Sequence, residues 1–202
     1  MRSILEEDTA LELQHINVKL PFKKSFDLDP IIPIFHEWIQ NQVFDELLLD
    51  VADYRHVKDG PGVILIGHEA DYSLDQTDGR LGVRYNRKAR LPGSNKGRLE
   101  QAAGSALSAL QKLQSDSRLG GEIAFDGQEI EIVVNDRQLA PNSLATREAS
   151  ARDLELLAAN LFGPEAFSMT YSNDPRCLFR VDLKSTRPHS AEELLGNLSG
   201  QG

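Results

Sequence analysis

Three side chains on neighbouring predicted strands, His68, Asp50 and Arg84, have the clearest potential for chemistry. A histidine changes its charge near neutral pH and can act as a general base, while a nearby carboxylate can orient its ring. A guanidinium can stabilise an anionic intermediate. These residues are therefore candidate catalytic residues of a hydrolase or a transferase. The alternative is structural: a histidine satisfied by its neighbours, and an ion pair between Asp50 and Arg84 that neutralises a carboxylate in an apolar strand.

These side chains come together only if the strands between residues 44 and 88 pair in one particular register. With Val57 opposite Val63 and Leu74 opposite Arg80, side chains alternate between the two faces of a three-stranded meander. One face is then apolar and carries Leu47, Leu49, Val51, Val63, Leu65, Leu81, Val83 and Tyr85. The other face carries the three catalytic candidates and four candidate ligand-binding residues, Tyr54, His56, Tyr72 and Asn86. A slip of one residue would move the side chains of a whole strand to the opposite face.

A second candidate site is the basic stretch that follows the meander. Between Arg84 and Arg98 the sequence contains no acidic residue, and its candidate anion-binding residues are Arg87, Lys88, Arg90, Lys96 and Arg98. The stretch leads into a predicted helix, whose N-terminal N–H groups favour anions. It is not a Walker loop, because the G-x-x-x-x-G-K-[ST] pattern is absent. A solvated flexible loop is the alternative interpretation.

No metal site or cofactor is predicted. The segment His68-Glu69-Ala70-Asp71 contains three ligand types, but consecutive side chains on a strand point to opposite faces and cannot easily bind one ion. The second histidine of an H-E-x-x-H motif is missing, because Tyr72 stands there. The single cysteine, Cys177, alternates with apolar residues of a predicted strand, which favours a small core residue over a nucleophile.

The periodicity of apolar residues predicts an α+β fold with a mainly antiparallel sheet and about three helices. The predicted helices span residues 30–42, 99–113 and 151–162, the last one capped by Ser150. The predicted strands span residues 13–20, 46–57, 63–74, 80–88, 122–125, 129–134, 166–171 and 177–183. Short turns join most neighbouring strands, as in antiparallel sheets. In both halves a strand, a helix and further strands follow one another, which suggests two βαββ-like units.

The same pattern predicts a single domain over residues 10–184, with one candidate point of subdivision near residue 120, at Gly120-Gly121. Residues 1–9 are predicted to be a flexible leader, and residues 185–202 a flexible tail rich in serine and glycine.

Composition narrows the classes of partner. The chain has 22 basic and 31 acidic residues and a net charge of −9, so its surface repels the phosphate backbone of nucleic acids. There is no apolar run of membrane-spanning length and no signal peptide, and the lone cysteine cannot form an intrachain disulfide. These features favour a cytoplasmic protein without a membrane or nucleic-acid partner.

With no complete catalytic motif, the sequence favours a non-enzymatic accessory or regulatory module that binds a small ligand or a protein. A hydrolase or transferase that uses His68, Asp50 and Arg84 is the alternative. A homodimer formed through the polar face of the meander would explain why Ile64, Ile66 and Tyr72 are on that face.

Overall fold

The computed structural model describes residues 11–200, so the predicted leader at residues 1–9 lies outside the described residues. The described chain forms one eight-stranded antiparallel sheet and four helices, which confirms the α+β class and adds one helix to the expected three. The strands are β1 (Ile16–Pro21), β2 (Leu48–Tyr54), β3 (Gly62–Gly67), β4 (Ala70–Asp75), β5 (Gly82–Arg87), β6 (Glu129–Val134), β7 (Phe167–Tyr171) and β8 (Phe179–Ser185). The helices are α1 (Ile31–Asn41), α2 (Asn95–Ser115), α3 (Leu144–Phe162) and α4 (Ala191–Ser199).

The sheet has the strand order β2-β3-β4-β5-β1-β6-β8-β7, and the two halves of the chain meet where β1 pairs with β6. Each half starts at this central pair, passes through a helix to the outer edge and returns strand by strand to the centre. The second half, β6-α3-β7-β8, is a βαββ unit. The first half has the same plan with a meander of four strands instead of two.

All four helices pack on one face of the sheet, which we call the covered face. Helix α2 contacts the central strands β1 and β5, α1 contacts β2 and β3, and α3 contacts β7. The small residues Ala102, Ala103 and Ala106 of α2 are buried, and they allow the helix to approach the sheet closely. The opposite face, which we call the open face, carries mostly polar and charged side chains, as is common for antiparallel sheets with one packed side.

The predicted strand over residues 63–74 is wrong, because this segment is a hairpin of two strands. The tight turn between β3 and β4 requires Gly67, since a Cβ atom there would lie 2.4 Å from the carbonyl oxygen of Ala70. The turn reverses the alternation of side chains, so Tyr72 points to the covered face and pairs with Leu65. The predicted register of β2 on β3 was also wrong: β2 ends at Tyr54, the connection to β3 is longer than predicted, and Val63 lies opposite Asp53 instead of Val57.

The apolar face predicted for β2 was wrong at its start, because β2 has a β-bulge between Leu48 and Asp50. Leu48 is buried, whereas Leu47 and Leu49 are 55% and 50% exposed. A bulge places two residues opposite one and shifts the alternation of the strand. Three consecutive leucines therefore supply only one core side chain.

Several element boundaries also differ from the prediction. Helix α3 begins at Leu144 because Ser143 caps it, its Oγ accepting the N–H of Thr146 at 3.2 Å, and Ser150 lies inside the helix. Of the predicted strand at residues 122–125, only an isolated bridge between Phe125 and Phe22 forms. Cys177 precedes β8 and is exposed, so it is not the core residue that its spacing suggested.

The predicted flexible tail also needs correction. Residues 191–199 form α4, Ser190 caps it with its Oγ accepting the N–H of Glu193 at 3.0 Å, and Leu194 is fully buried. Helix α4 packs against α2 and α3, so this segment completes the core of the second half of the chain.

Candidate functional site

The predicted catalytic residues lie apart from one another. His68 is an exposed residue of the β3–β4 turn, and Asp50 is exposed on the edge strand β2, where its side chain accepts the N–H of Val51 at 2.7 Å. Arg84 lies on β5, and two strands separate it from β2. Three strand spacings of about 4.8 Å amount to about 14 Å, too far for any contact. The geometry offers no support for acid–base chemistry by these three residues.

Arg84 instead belongs to a charge network on the open face. Its guanidinium donates to Glu131 at 2.9 Å and lies 3.5 Å from Asp75. The Nζ atom of Lys19 donates to Asp75 at 2.7 Å and to the carbonyl oxygen of Thr77 at 2.9 Å. Burial lowers the pKa of Lys19, and the charge of Asp75 opposes that shift. Lys19 thus has its partners within the protein, and a structural role accounts for it.

A small cavity beside this network is lined by further charged residues, among them Arg180 and Asp182. Its volume of about 30 Å³ is close to the share of one water molecule in the liquid. This cavity is therefore too small for an organic ligand.

The basic stretch acquires carboxylate partners through folding. Arg87 pairs with Glu69 at 2.9 Å, Lys88 with Asp71 at 2.6 Å, Arg90 with Glu12 at 2.5 Å, Lys96 with Glu100 at 3.0 Å, and Arg98 with Glu12 at 2.8 Å. These acids come from outside the stretch or from the helix that follows it, so the local excess of positive charge is largely neutralised. An incoming anion would have to compete with them, and anion binding here stays a prediction.

The four candidate ligand-binding residues also lie in different parts of the fold. Tyr54 and His56 lie near the β2–β3 turn, with their rings 6.4 Å apart, and Asn86 lies on the open face opposite Asp71 and Asn17. Tyr72 lies on the covered face. Tyr72 lines a cavity of about 570 Å³.

That cavity is a cleft of about 570 Å³ between α2 and the strands β4 and β5, and we call it the Tyr72 cleft. Its walls come from the segment before β2, the β3–β4 turn, β4, the end of β5 and one face of α2. The lining residues are Phe44, Asp45, Glu46, Glu69, Tyr72, Arg87, Glu100, Gln101, Gly104, Ser105 and Ser108.

One wall of the Tyr72 cleft is aromatic. The ring of Phe44 stacks on Tyr72 with the centroids 4.4 Å apart and the planes 9° from parallel. The hydroxyl of Tyr72 donates to Glu46 at 2.7 Å, and the same carboxylate accepts the N–H of Ala70 at 2.9 Å. Burial, together with the neighbouring carboxylate of Glu46, raises the pKa of Tyr72. The wall is therefore rigid, and its phenol stays protonated.

The floor of the cleft is Gly104, near the middle of α2. A glycine inside a helix destabilises it by about 1 kcal/mol relative to alanine. Packing does not require this glycine, because a Cβ atom built there would have no neighbour within 4 Å. The absence of a side chain at Gly104 leaves the cleft open, because any longer side chain at this position would project into it.

Hydrogen-bonding groups and charges surround this floor. Gln101 donates to the hydroxyl of Tyr85 at 2.9 Å and to Ser105 Oγ at 3.0 Å. The lining holds four carboxylates; Glu69 is paired with Arg87 and Glu100 with Lys96, so the negative charge of the cleft comes mainly from Asp45 and Glu46. The Tyr72 cleft thus combines apolar surface, neutral polar groups and an excess of negative charge.

Two lining residues, Tyr72 and Arg87, are among the candidate residues predicted from the sequence, but the prediction places them in two separate sites. It missed Glu46, Gln101 and Gly104, because only tertiary structure brings α2 over β4 and β5. One signal was available: a glycine in the middle of an otherwise regular helical pattern often has a packing or functional reason.

A second polar group that the sequence did not reveal joins β8 to α4. Ser185 Oγ lies 2.9 Å from His189 Nε2, and His189 Nδ1 lies 3.1 Å from Glu193 Oε1. The order of atoms is that of a serine–histidine–acid triad. Both Ser185 and His189 are buried, however, so a structural role accounts for this group.

Among residues 11–200, no cluster of three or more histidine, cysteine, aspartate or glutamate side chains could hold a metal ion. None of the helices in the described part of the chain is both long and apolar enough to cross a bilayer. In sequence comparisons, neither a protein-family model nor a curated protein matches this chain.

Proposed function

We propose that the protein is a non-enzymatic binding protein that holds a small organic ligand in the Tyr72 cleft. One observation carries this proposal: a cleft of about 570 Å³ is kept open at its floor by Gly104, which packing does not require. Clefts that bind small ligands typically have volumes of about 300–1,000 Å³, with apolar walls and a few placed polar groups. The Tyr72 cleft matches this description in size, but its lining is more polar, since eight of its eleven lining residues are polar or charged.

The chemistry of the lining favours an amine with an apolar or aromatic body. The carboxylates of the cleft and the net charge of −9 attract cations and repel anions. The ring of Phe44, stacked on Tyr72, offers an apolar surface, although the ammonium of Lys112 already lies over this ring, 5.6 Å from its centroid. Gln101 and Ser105 can exchange hydrogen bonds with further polar atoms of the ligand.

The groups of the cleft favour binding over catalysis. The hydroxyl of Ser105 is hydrogen-bonded to Gln101, which is not a base and cannot activate a nucleophile. The carboxylate of Glu46 already accepts two hydrogen bonds from the protein. We also propose a cytoplasmic location, because the exposed thiol of Cys177 suits a reducing compartment.

Isothermal titration calorimetry with phenethylamine and with 3-phenylpropionate, an acid of similar shape, tests the proposal. We expect the amine to bind and the acid not to bind. Gly104→Leu should abolish amine binding by filling the cleft, whereas the matched control Gly104→Ala should retain binding. Equal binding of amine and acid, or undiminished amine binding by Gly104→Leu, would contradict the proposed site.

A further inference from the structure

The two edges of the described sheet, β2 and β7, differ in how they are protected. An exposed edge can pair with another chain, and natural proteins prevent this with charges, prolines, bulges or covering groups. Strand β2 has a bulge at Leu48 and two aspartates, Asp50 and Asp53. The side-chain amide of Gln42 also accepts the N–H of Leu48 at 3.3 Å and donates to its carbonyl oxygen at 3.4 Å. This edge is closed to further pairing.

Strand β7 itself has no charge, proline or bulge, although the guanidinium of Arg147 covers the ring of Tyr171 at one end. Its sequence, Phe-Ser-Met-Thr-Tyr, contains no charge and no proline, and it pairs with β8 without a bulge. The bonds from Thr186 N to Ala166 O at 2.9 Å and from Ser172 N to Arg180 O at 3.1 Å show that the even-numbered residues point their backbone groups toward β8. Phe167, Met169 and Tyr171 therefore point theirs outward, and no strand within residues 11–200 pairs with them.

An apolar groove of about 490 Å³ runs along this edge, between α3 and β7. Leu156 and Ala159 line it from α3, and the side chains of Phe167, Met169 and Tyr171 line it from the strand. Leu156 is among the exposed large hydrophobic residues of the protein. An unprotected edge beside an apolar groove is the arrangement to which an added strand binds: the edge supplies hydrogen bonds, and the groove takes alternate side chains.

We propose that the strand added here is β7 of a second copy of the protein, antiparallel to the first, with the twofold axis at Met169. The side-chain types of β7 read the same in both directions: aromatic, hydroxyl, Met169, hydroxyl, aromatic. In an antiparallel pair centred on Met169, Phe167 lies opposite Tyr171 of the partner subunit, and Ser168 lies opposite Thr170 of the partner subunit. A surface that is complementary to itself about a twofold axis is what a homodimer requires.

The groove supports the same occupant. Arg152, Glu155 and Glu165 all line it, so each copy contributes one cation and two anions to the shared groove. The open face, which the sequence suggested as the dimer surface, is less suitable because its charged residues are already paired within one chain. Pairing at β7 joins the two sheets into one continuous sheet and leaves the Tyr72 cleft, on the other half of the molecule, accessible in both copies.

Sedimentation equilibrium tests the dimer and its surface. We expect the natural chain to be dimeric, and we expect Met169→Pro to weaken the dimer by about tenfold or more, because the outward N–H at the axis is lost. Proline at an outward-facing edge position leaves the pairing with β8 intact, which circular dichroism should confirm. Leu49→Lys, an exposed leucine on the opposite edge, is the matched control and should remain dimeric.

Disulfide trapping tests the register. Met169→Cys in a Cys177→Ser background should form a covalent dimer on mild oxidation, because residues that face each other in a hydrogen-bonded antiparallel pair have Cα atoms about 5.5 Å apart. Ser168→Cys in the same background should trap the dimer poorly, since it faces Thr170 of the partner subunit. A monomeric natural chain, a Met169→Pro variant that stays fully dimeric, or equal trapping at both positions would overturn the proposal.

Discussion

The substitution Asp75→Asn tests the buried charge network of the open face. The side chains of Lys19 and Asp75 are only 4% and 3% exposed, and their charged atoms are 2.7 Å apart. The carboxylate also accepts the N–H of Thr77 at 3.1 Å. Replacing it with an amide keeps the shape of the side chain but removes the negative charge beside the buried ammonium.

Removing one partner of a buried ion pair costs about 3–5 kcal/mol, because the other charge is left without compensation. Glu131 lies close enough to Lys19 to raise its pKa and replaces part of the lost interaction, so we expect a loss near the lower end, about 3 kcal/mol. The effect should depend on pH. Burial lowers the folded-state pKa of Lys19 below its ordinary value of 10.5, and loss of the Asp75 charge lowers this pKa further, so the stability of the variant rises more steeply with pH than that of the natural chain. The destabilisation should therefore shrink as the pH rises from 7 toward 10.

Urea unfolding at pH 7 and pH 9.5, followed by circular dichroism, measures this loss as a change in midpoint at constant slope. The matched control is Glu122→Gln, which breaks the pair between Lys24 and Glu122; these side chains are 56% and 54% exposed. An exposed pair contributes about 0–1 kcal/mol, so the control should change stability little. If Asp75→Asn cost no more than this control, the account of the network would be refuted.

Three further predictions concern stability. Gly67→Ala should destabilise the protein by about 1–3 kcal/mol, because the new Cβ atom meets backbone in the β3–β4 turn. Gly104→Ala should instead stabilise it by up to about 1 kcal/mol, because alanine favours the helix more than glycine does. Urea unfolding of both variants measures the two effects. A hydrogen bond from Arg80 is the main cause that lowers the pKa of Glu129, so the stabilisation from this carboxylate is present above pH 4.5 and is lost as the pH falls further. Between pH 5 and pH 3, Glu129→Gln should therefore lose less stability than the natural chain. Ser185→Ala should cost about 1–3 kcal/mol in thermal unfolding, because it leaves a buried imidazole nitrogen without its partner.

The elements that the sequence predicted well are those with strong local signals. Strands β7 and β8 lie where alternating apolar residues flank the turn at Asn173-Asp174-Pro175, and β6 follows Asp126-Gly127. Short connections of this kind join neighbouring antiparallel strands, so the fold class follows from local sequence.

The register of the meander could not be predicted, because its two deviations have weak local signals. The β3–β4 turn falls within a run of apolar and β-forming residues and is marked only by Gly67, whose neighbours His68 and Glu69 are not typical turn residues. The bulge at Leu48 is hidden among three leucines of equal hydrophobicity. The unpredicted turn places His68 between two strands and adds a strand between Asp50 and Arg84, so the predicted polar cluster does not form.

The Tyr72 cleft could not be predicted from local sequence patterns, for a different reason. Its lining comes from segments between Phe44 and Ser108 that only the packing of α2 on the sheet brings together. Likewise, the basic stretch could not be recognised as neutralised, because Glu12 and Glu69 reach it through tertiary structure. Sequence periodicity predicts which face of an element is buried, but not which faces leave a space between them.

The most direct test of the proposed function is a titration of the ¹⁵N-labelled protein with phenethylamine, followed by two-dimensional ¹H–¹⁵N NMR. We expect saturable shifts of the amide signals around the cleft, at Tyr72, Gln101, Gly104 and Ser105, and no such shifts for Gly104→Leu. Shifts confined to the open face or to the basic stretch, or no saturable shift at millimolar amine, would contradict the claim that the Tyr72 cleft is the ligand site.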